Sequence, residues 1–185
     1  MKKILLLMLL TLTCSLYGQS EKEGLPINDE TGKISFEEVV EIEGSNKDEL
    51  YDRGREWFIT KYVSAEDVLQ LEDKENGKLI GKAISSIPYK SMGANANMPI
   101  RYTIKIYFKE GRYKVVITDY LLGGLSANDA TPIEEIVLNL DSKKKRLQKL
   151  YGQYKIGVLD AGNDLLKDLK TYMSKTTEIK KTDDW

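Results

Sequence analysis

The chain has no histidine, a single cysteine and only four prolines among its 185 residues. Without histidine there is no Ser-His-Asp or Cys-His catalysis and no histidine-built zinc site. The cysteine, Cys14, lies inside an N-terminal apolar run. If it leaves with that run, no thiol and no disulfide remains, and stability must come from core burial. A phosphate-cradling loop is also missing. Residues 77–83 place three residues between Gly77 and Gly81 where four are needed, and Ala83 stands where a magnesium-binding hydroxyl is required. The stretch from Asp160 to Asp164 lacks calcium-loop spacing and sits in helical periodicity. Three acidic pairs, Glu37-Glu38, Glu134-Glu135 and Asp183-Asp184, are each adjacent in sequence. Neighbours point to opposite faces of a strand or diverge by about 100° on a helix, so none forms a converging pair by itself. A glycosidase needs two carboxylates facing each other across the substrate, and nothing marks two here. We expect no cofactor and no metal.

What is present begins with a secretory pattern. Lys2 and Lys3 precede an apolar run over 4–12, shorter than the about 20 residues that span a bilayer. Small and polar residues follow, and Gly18 suits the position before a signal-peptidase cut. The expected organisation is a signal peptide over 1–18, a leader over 19–32, one α+β domain over 33–175 and a polar tail over 176–185. Export to the periplasm or the extracellular space follows. Lipidation of Cys14 is the alternative, although Thr11 and Thr13 fit a lipobox poorly. At 41% hydrophobic and 31% charged, the chain has apolar material for one core. Its net charge is −1, and removal of 1–18 takes two lysines and no acids, giving −3. Neither value attracts nucleic acid, which is not an expected partner. After the N-terminal run there is no second apolar stretch long enough to span a membrane.

Periodicity places the elements. Residues 33–43 alternate, with Ile34, Phe36, Val40 and Ile42 on one face and Ser35, Glu37, Glu41 and Glu43 on the other; Val39 breaks the pattern. Ser45 or Asn46 caps an amphipathic helix that runs to about Tyr62, with Leu50, Tyr51, Gly54, Trp57, Phe58 and Tyr62 on its apolar face and Trp57 and Phe58 as core anchors. A short strand over 67–72, an Asn76-Gly77 turn and a returning strand over 78–87 make a hairpin. Residues 90–99, with Gly93, Asn95, Asn97 and Pro99, read as a loop. The strand over 100–109 alternates most clearly, and residues 112–121 return from the Glu110-Gly111 turn. A loop over 123–129 follows. Thr131 caps, with Pro132 first in a short helix to about Leu140 and Glu134 at its third position. A long helix from about Ser142 carries an apolar stripe through Leu147, Tyr151, Tyr154, Val158, Ala161, Leu165 and Leu169. Gly157 sits beside that stripe, where close packing on the sheet would account for it. The basic run from Lys143 to Arg146 opposes the helix dipole and reads as a solvated turn or a partner contact. The order β-α-β-β-β-β-α, with helices on one face, defines an α+β domain.

The second hairpin sets its own register. With Glu110 and Gly111 at the turn, Phe108 meets Tyr113, Ile106 meets Val115 and Ile104 meets Ile117. The outward pairs are then Tyr107 with Lys114, Lys105 with Val116, Thr103 with Thr118, and Arg101 with Tyr120. The helices need the inward face, so these eight residues are the candidate binding face. Tyrosine and arginine are enriched where binding energy concentrates. An ordinary solvated sheet face is the plainer reading of the same residues.

Leu25-Pro26, Thr31-Gly32-Lys33-Ile34, the stretch from Ser45 to Tyr51 and Trp57 together resemble a family of exported bacterial domains of unknown function (DUF4468-like), with a fold like the TATA-box-binding protein. The resemblance covers roughly 25–122. It implies a curved antiparallel sheet with helices on one side, and it implies no activity and no site residues. Fold similarity to a DNA-binding protein gives no licence for DNA binding. The expected function is a non-enzymatic binding or assembly module of the cell envelope. Its partner would be an envelope protein, a peptide or a glycan, with self-association open. A carboxylate-based hydrolase is the alternative.

Overall fold

The computed structural model describes residues 24–123, 129–138 and 143–174. The proposed signal segment, Cys14, the centre of the 123–129 loop and the tail over 176–185 lie outside the described residues. The element order is β1 (Phe36–Glu41), α1 (Lys47–Lys61), α2 (Ala65–Val68), β2 (Leu69–Asp73), β3 (Lys78–Ser91), β4 (Ala94–Lys109), β5 (Arg112–Leu122), β6 (Thr131–Pro132), α3 (Ile133–Val137) and α4 (Lys145–Met173). The strands form one antiparallel sheet in the order β1-β5-β4-β3-β2, with β6 on β5 beyond β1. This is the expected α+β arrangement.

The core lies between one face of the sheet and the helices α1 and α4. Ile100, Tyr102, Ile104, Ile106 and Phe108 of β4 are all buried, as are Tyr113, Val115 and Ile117 of β5. From α1 come Leu50, Tyr51, Trp57 and Phe58, and from α4 Tyr154, Val158, Leu165 and Leu169. The helices close onto the sheet where glycine allows it. The Phe58 ring lies over Gly81 of β3, and the Phe108 ring lies over Gly54 of α1. A Cβ at either glycine would stand 2.5 Å or 2.4 Å from the ring. Trp57 donates its indole N–H to Asp168 of α4 at 2.9 Å, which ties the two helices together. Asn46 is the cap of α1, in a reciprocal box with Glu49, so Ser45 is not.

Four expectations need correction. Residues 90–99 are not a loop. β3 and β4 run on to Ser91 and Ala94 and turn at Met92-Gly93, both with positive φ (52° and 86°), as a two-residue hairpin turn requires. Helix α4 supports this extension. Gln153 accepts from the Lys90 N–H at 2.8 Å and donates to its carbonyl at 3.2 Å, while Tyr89 packs edge-on against Tyr154. Thr131-Pro132 does not begin a helix. It forms β6 against Leu121-Leu122, and α3 starts at Ile133. An edge strand tolerates proline because no donor is needed there. The carboxylate of Glu134 does no capping; it accepts the Ile34 backbone N–H at 2.8 Å. The strand expected over 67–72 starts at Leu69, after the single turn α2. Tyr120, expected to face outward, is buried beyond a bulge in β5.

Candidate functional site

The face of the sheet turned away from α1 and α4 carries a groove of about 800 Å³ across β1, β5 and β4. Three expected pairs build it in the expected register: Tyr107 opposite Lys114, Lys105 opposite Val116, and Thr103 opposite Thr118. Lys105, Tyr107, Lys114, Val116 and Thr118 line the groove itself. Thr103 lies with Arg101 in a smaller neighbouring depression of about 440 Å³. Both threonines are buried despite facing outward, and the Thr118 hydroxyl donates to the Ile34 carbonyl at 3.0 Å.

Tyr120 is not on this face. The ladder shifts between Thr103 and Arg101, so that Arg101 faces Leu121 and two residues of β5, Asp119 and Tyr120, oppose Tyr102. Asp119 takes a positive φ of 57° at this bulge. One extra residue reverses the facing of everything after it. Tyr120 therefore points into the core, 1% exposed, against Phe36 (ring centroids 5.9 Å apart) and Tyr102 (5.8 Å). Arg101 donates to the Gly123 carbonyl at 2.8 Å.

Residues not expected at the site complete it. The chain before β1 folds over one end: Asn28, Thr31, Lys33 and Ser35 line the groove beside Glu37 and Val39 of β1. The backbone there is held by Ile27 bridging to Ile34 and by the Ser35 N–H donating to the Pro26 carbonyl at 2.9 Å. Lys109 and Arg112 close the other end, and Asp119 sits in the wall. Alternation in β1 already put Ser35, Glu37 and Val39 on one face. Only the pairing of β1 with β5 shows that this face continues the β4-β5 face. Asp119 did leave a signal: strict alternation after Val115 and Ile117 would put its carboxylate on the core face opposite Tyr102, a conflict that the bulge removes.

The electrostatics of the groove follow from its pairs. Glu37 accepts from Lys114 at 2.8 Å, from the Ser35 hydroxyl at 2.9 Å and from the Asn28 amide at 3.3 Å. The Lys114 contact leads in holding this carboxyl below its ordinary value, against an opposing push from burial. At Asp119, burial pushes the carboxyl up. The Lys33 ammonium, the Lys105 charge and the Thr103 hydroxyl together outweigh it, so the net shift is downward. Lys33 is raised in turn, chiefly by its hydrogen bond to Asp119. Lys105 approaches Asp119 at 4.0 Å, and Arg112 reaches Glu41 at 3.6 Å. The floor between these charges is apolar: Val39 is 57% exposed, and Tyr107 and Val116 are half-buried. Lys78 of β3 lies over the Tyr107 ring at 5.7 Å.

The other sequence candidates scatter. Residues 77–83 form a turn and a strand, not a loop entering a helix. Asp160 and Asp164 sit exposed on α4, and Lys144, Lys145 and Arg146 are exposed at its start. Glu37 and Glu38 diverge as a strand requires, Glu38 reaching Lys170 of α4 on the opposite side. Among the described residues no cluster of metal-ligating side chains occurs. Among the same residues, no helix is long and apolar enough to cross a membrane.

Among the described residues, a six-stranded antiparallel sheet with its helices on one face and an open groove on the other defines an α+β domain of the TBP-like class. Residues 36–120 match the family model described as a domain of unknown function (DUF4468) with TBP-like fold. The fold is similar to the crystal structure of a DUF4468 family protein from Bacteroides ovatus, with TM-score 0.65, 17% identity, and coverage of 81% of this chain and 91% of that one. It is also similar to a TBP-like protein from Parabacteroides distasonis, with TM-score 0.68, 19% identity, and coverage of 83% and 99%. At these identities the likeness concerns the fold alone. No curated protein matches the chain.

Proposed function

We propose that this chain is an exported binding module that presents the helix-free face of its sheet to a partner. The groove across β1, β5 and β4 carries the reading. It is within the size range of ligand sites, its floor is apolar, and polar groups converge on it from two strands and the segment before β1. Six backbone-paired strands and two packed helices hold these side chains, so the face is preorganised. Export rests on the N-terminal pattern of Lys2, Lys3 and the apolar run over 4–12.

The hydrolase alternative has weaker support. A general acid needs a carboxyl whose pKa is raised towards neutrality. The two carboxyls in the groove, Glu37 and Asp119, are both shifted the other way.

The test compares partner recovery from envelope extracts by mass spectrometry. Tyr107→Ala combined with Val116→Ser alters the groove floor, and Asp160→Ala with Asp164→Ala alters the exposed face of α4. The groove variant is expected to lose partners that the helix variant retains. Equal recovery by the two folded variants would remove the groove from consideration.

A further inference from the structure

Five cations line the groove, Lys33, Lys105, Lys109, Arg112 and Lys114, against two carboxylates, Glu37 and Asp119. The chain as a whole is net −1, whereas the lining of this groove carries three more cations than carboxylates. Both carboxylates are already engaged by lysines of the same groove. Those pairs occupy Lys33 and Lys114 as well, and Arg112 reaches Glu41, so the cations the site offers an incoming molecule are chiefly Lys105 and Lys109.

The positive groups alternate with apolar ones across the strands. The ladder places Val39 beside Lys114, Lys114 beside Tyr107, and Tyr107 beside Lys78. In the next row Val116 stands beside Lys105, and Lys105 beside Ile80. Each apolar position thus has a cation on the neighbouring strand. A purely polar anion would leave the apolar floor unused, and a purely apolar ligand would strip water from the ammonium groups without replacing it.

We propose, building on the reading of this groove as the binding face, that its ligand is an acidic peptide segment in which carboxylates alternate with aliphatic side chains. A glycan fits less well. Sugar faces stack on open aromatic rings, whereas the floor is largely aliphatic and Lys78 already lies over Tyr107. Carboxylates of the peptide would pair with Lys105 and Lys109, and its aliphatic groups would cover Val39 and Val116. Charge complementarity of this kind also speeds encounter and makes affinity fall with salt.

The test uses a short fluorescein-labelled peptide of alternating aspartate and leucine, and a counterpart with lysine for aspartate. Anisotropy is read at low and at physiological ionic strength. The acidic peptide is expected to bind and to weaken with salt, and the lysine peptide is expected not to bind. Lys105→Gln with Lys109→Gln, which keeps side-chain bulk, should weaken the acidic peptide about threefold to tenfold, the size two exposed ion pairs carry. Circular dichroism confirms that this surface variant is folded. Equal binding of both peptides, or no effect of the double variant, would overturn the inference. Binding to vesicles of anionic phospholipid without binding of the acidic peptide would overturn it as well. If the acidic peptide fails while the groove-floor variant still loses its partners, the binding face stands and only the peptide assignment falls.

Discussion

Gly157 of α4 lies against the side chain of Ile87 in β3 so closely that a Cβ on the glycine would stand 1.8 Å from Ile87 Cγ2. The branched atoms of Ile87 cannot swing away as the end of a flexible chain could. Helix α4 therefore reaches β3 only because this position has no side chain. Gly152, five residues earlier on the same helix, meets nothing within 4 Å. The two glycines predict opposite signs. Gly157→Ala should lower stability by about 1–3 kcal/mol through overpacking, despite the helix propensity it gains. Gly152→Ala should raise it by up to about 1 kcal/mol. Urea midpoints measure both, and a midpoint for Gly157→Ala at or above that of the parent would mean that α4 does not sit where described.

Trp57 is 1% exposed, packs edge-on against Phe58 at 5.0 Å and bonds to Asp168. Trp57→Ala should cost about 3–5 kcal/mol, the usual loss for a large buried aromatic. Tyr107→Ala, half-buried on the open face, should cost no more than about 1 kcal/mol. Comparable losses in the two variants would contradict the assignment of faces.

At Tyr120 the hydroxyl is buried without a hydrogen-bond partner among the described residues. Tyr120→Phe removes that unsatisfied group at nearly constant shape, so stability should be unchanged or rise by up to about 1 kcal/mol. Tyr120→Ala should lose about 3–5 kcal/mol. A harmless Tyr120→Ala would restore the outward placement and refute the bulge.

The pH dependence has a defined sign at both ends. Glu37 and Asp119 have folded pKa values below those of the unfolded chain. Their contribution is fully present above about pH 4–5, near the unfolded values, and is lost as pH falls through the folded ones. Glu37→Gln with Asp119→Asn should flatten the acid limb of thermal stability; asparagine also tolerates the left-handed backbone at 119. Burial pushes Tyr62, Tyr113 and Tyr120 well above the ordinary phenol value. The stability they supply is present below about pH 10 and falls as pH rises beyond it. Absorbance titration should show these phenols ionising only with alkaline unfolding. Full reversible ionisation of all tyrosines near pH 10 in the folded protein would show that they are accessible.

Local chemistry was enough for much of this protein. Alternation from Ile100 to Lys109 and from Arg112 to Thr118, around a turn at Glu110-Gly111, admits one register in which apolar meets apolar, and the structure uses it. The helical spacing of Leu50, Tyr51, Gly54, Trp57 and Phe58 named the buried face of α1 because burial of a helix stripe is written in period. Three outward pairs of the groove were legible for the same reason. The rest depended on contacts between segments distant in sequence. Residues 90–99 look like a loop by composition and become strand because Gln153 and Tyr154, about 60 residues on, hold their partner strand. Thr131-Pro132 carries a helix-start signal and pairs with β5 because that edge lies open beyond β1. Tyr120 alternates outward on paper and turns inward because one residue at Asp119 is left unpaired, which the core gains by packing the ring on Phe36 and Tyr102. Side-chain period determined which faces are apolar. Only the tertiary structure decided which strands lie side by side, and so which charges meet across the groove, because those neighbours are chosen by burial shared between segments and not by any one segment's sequence.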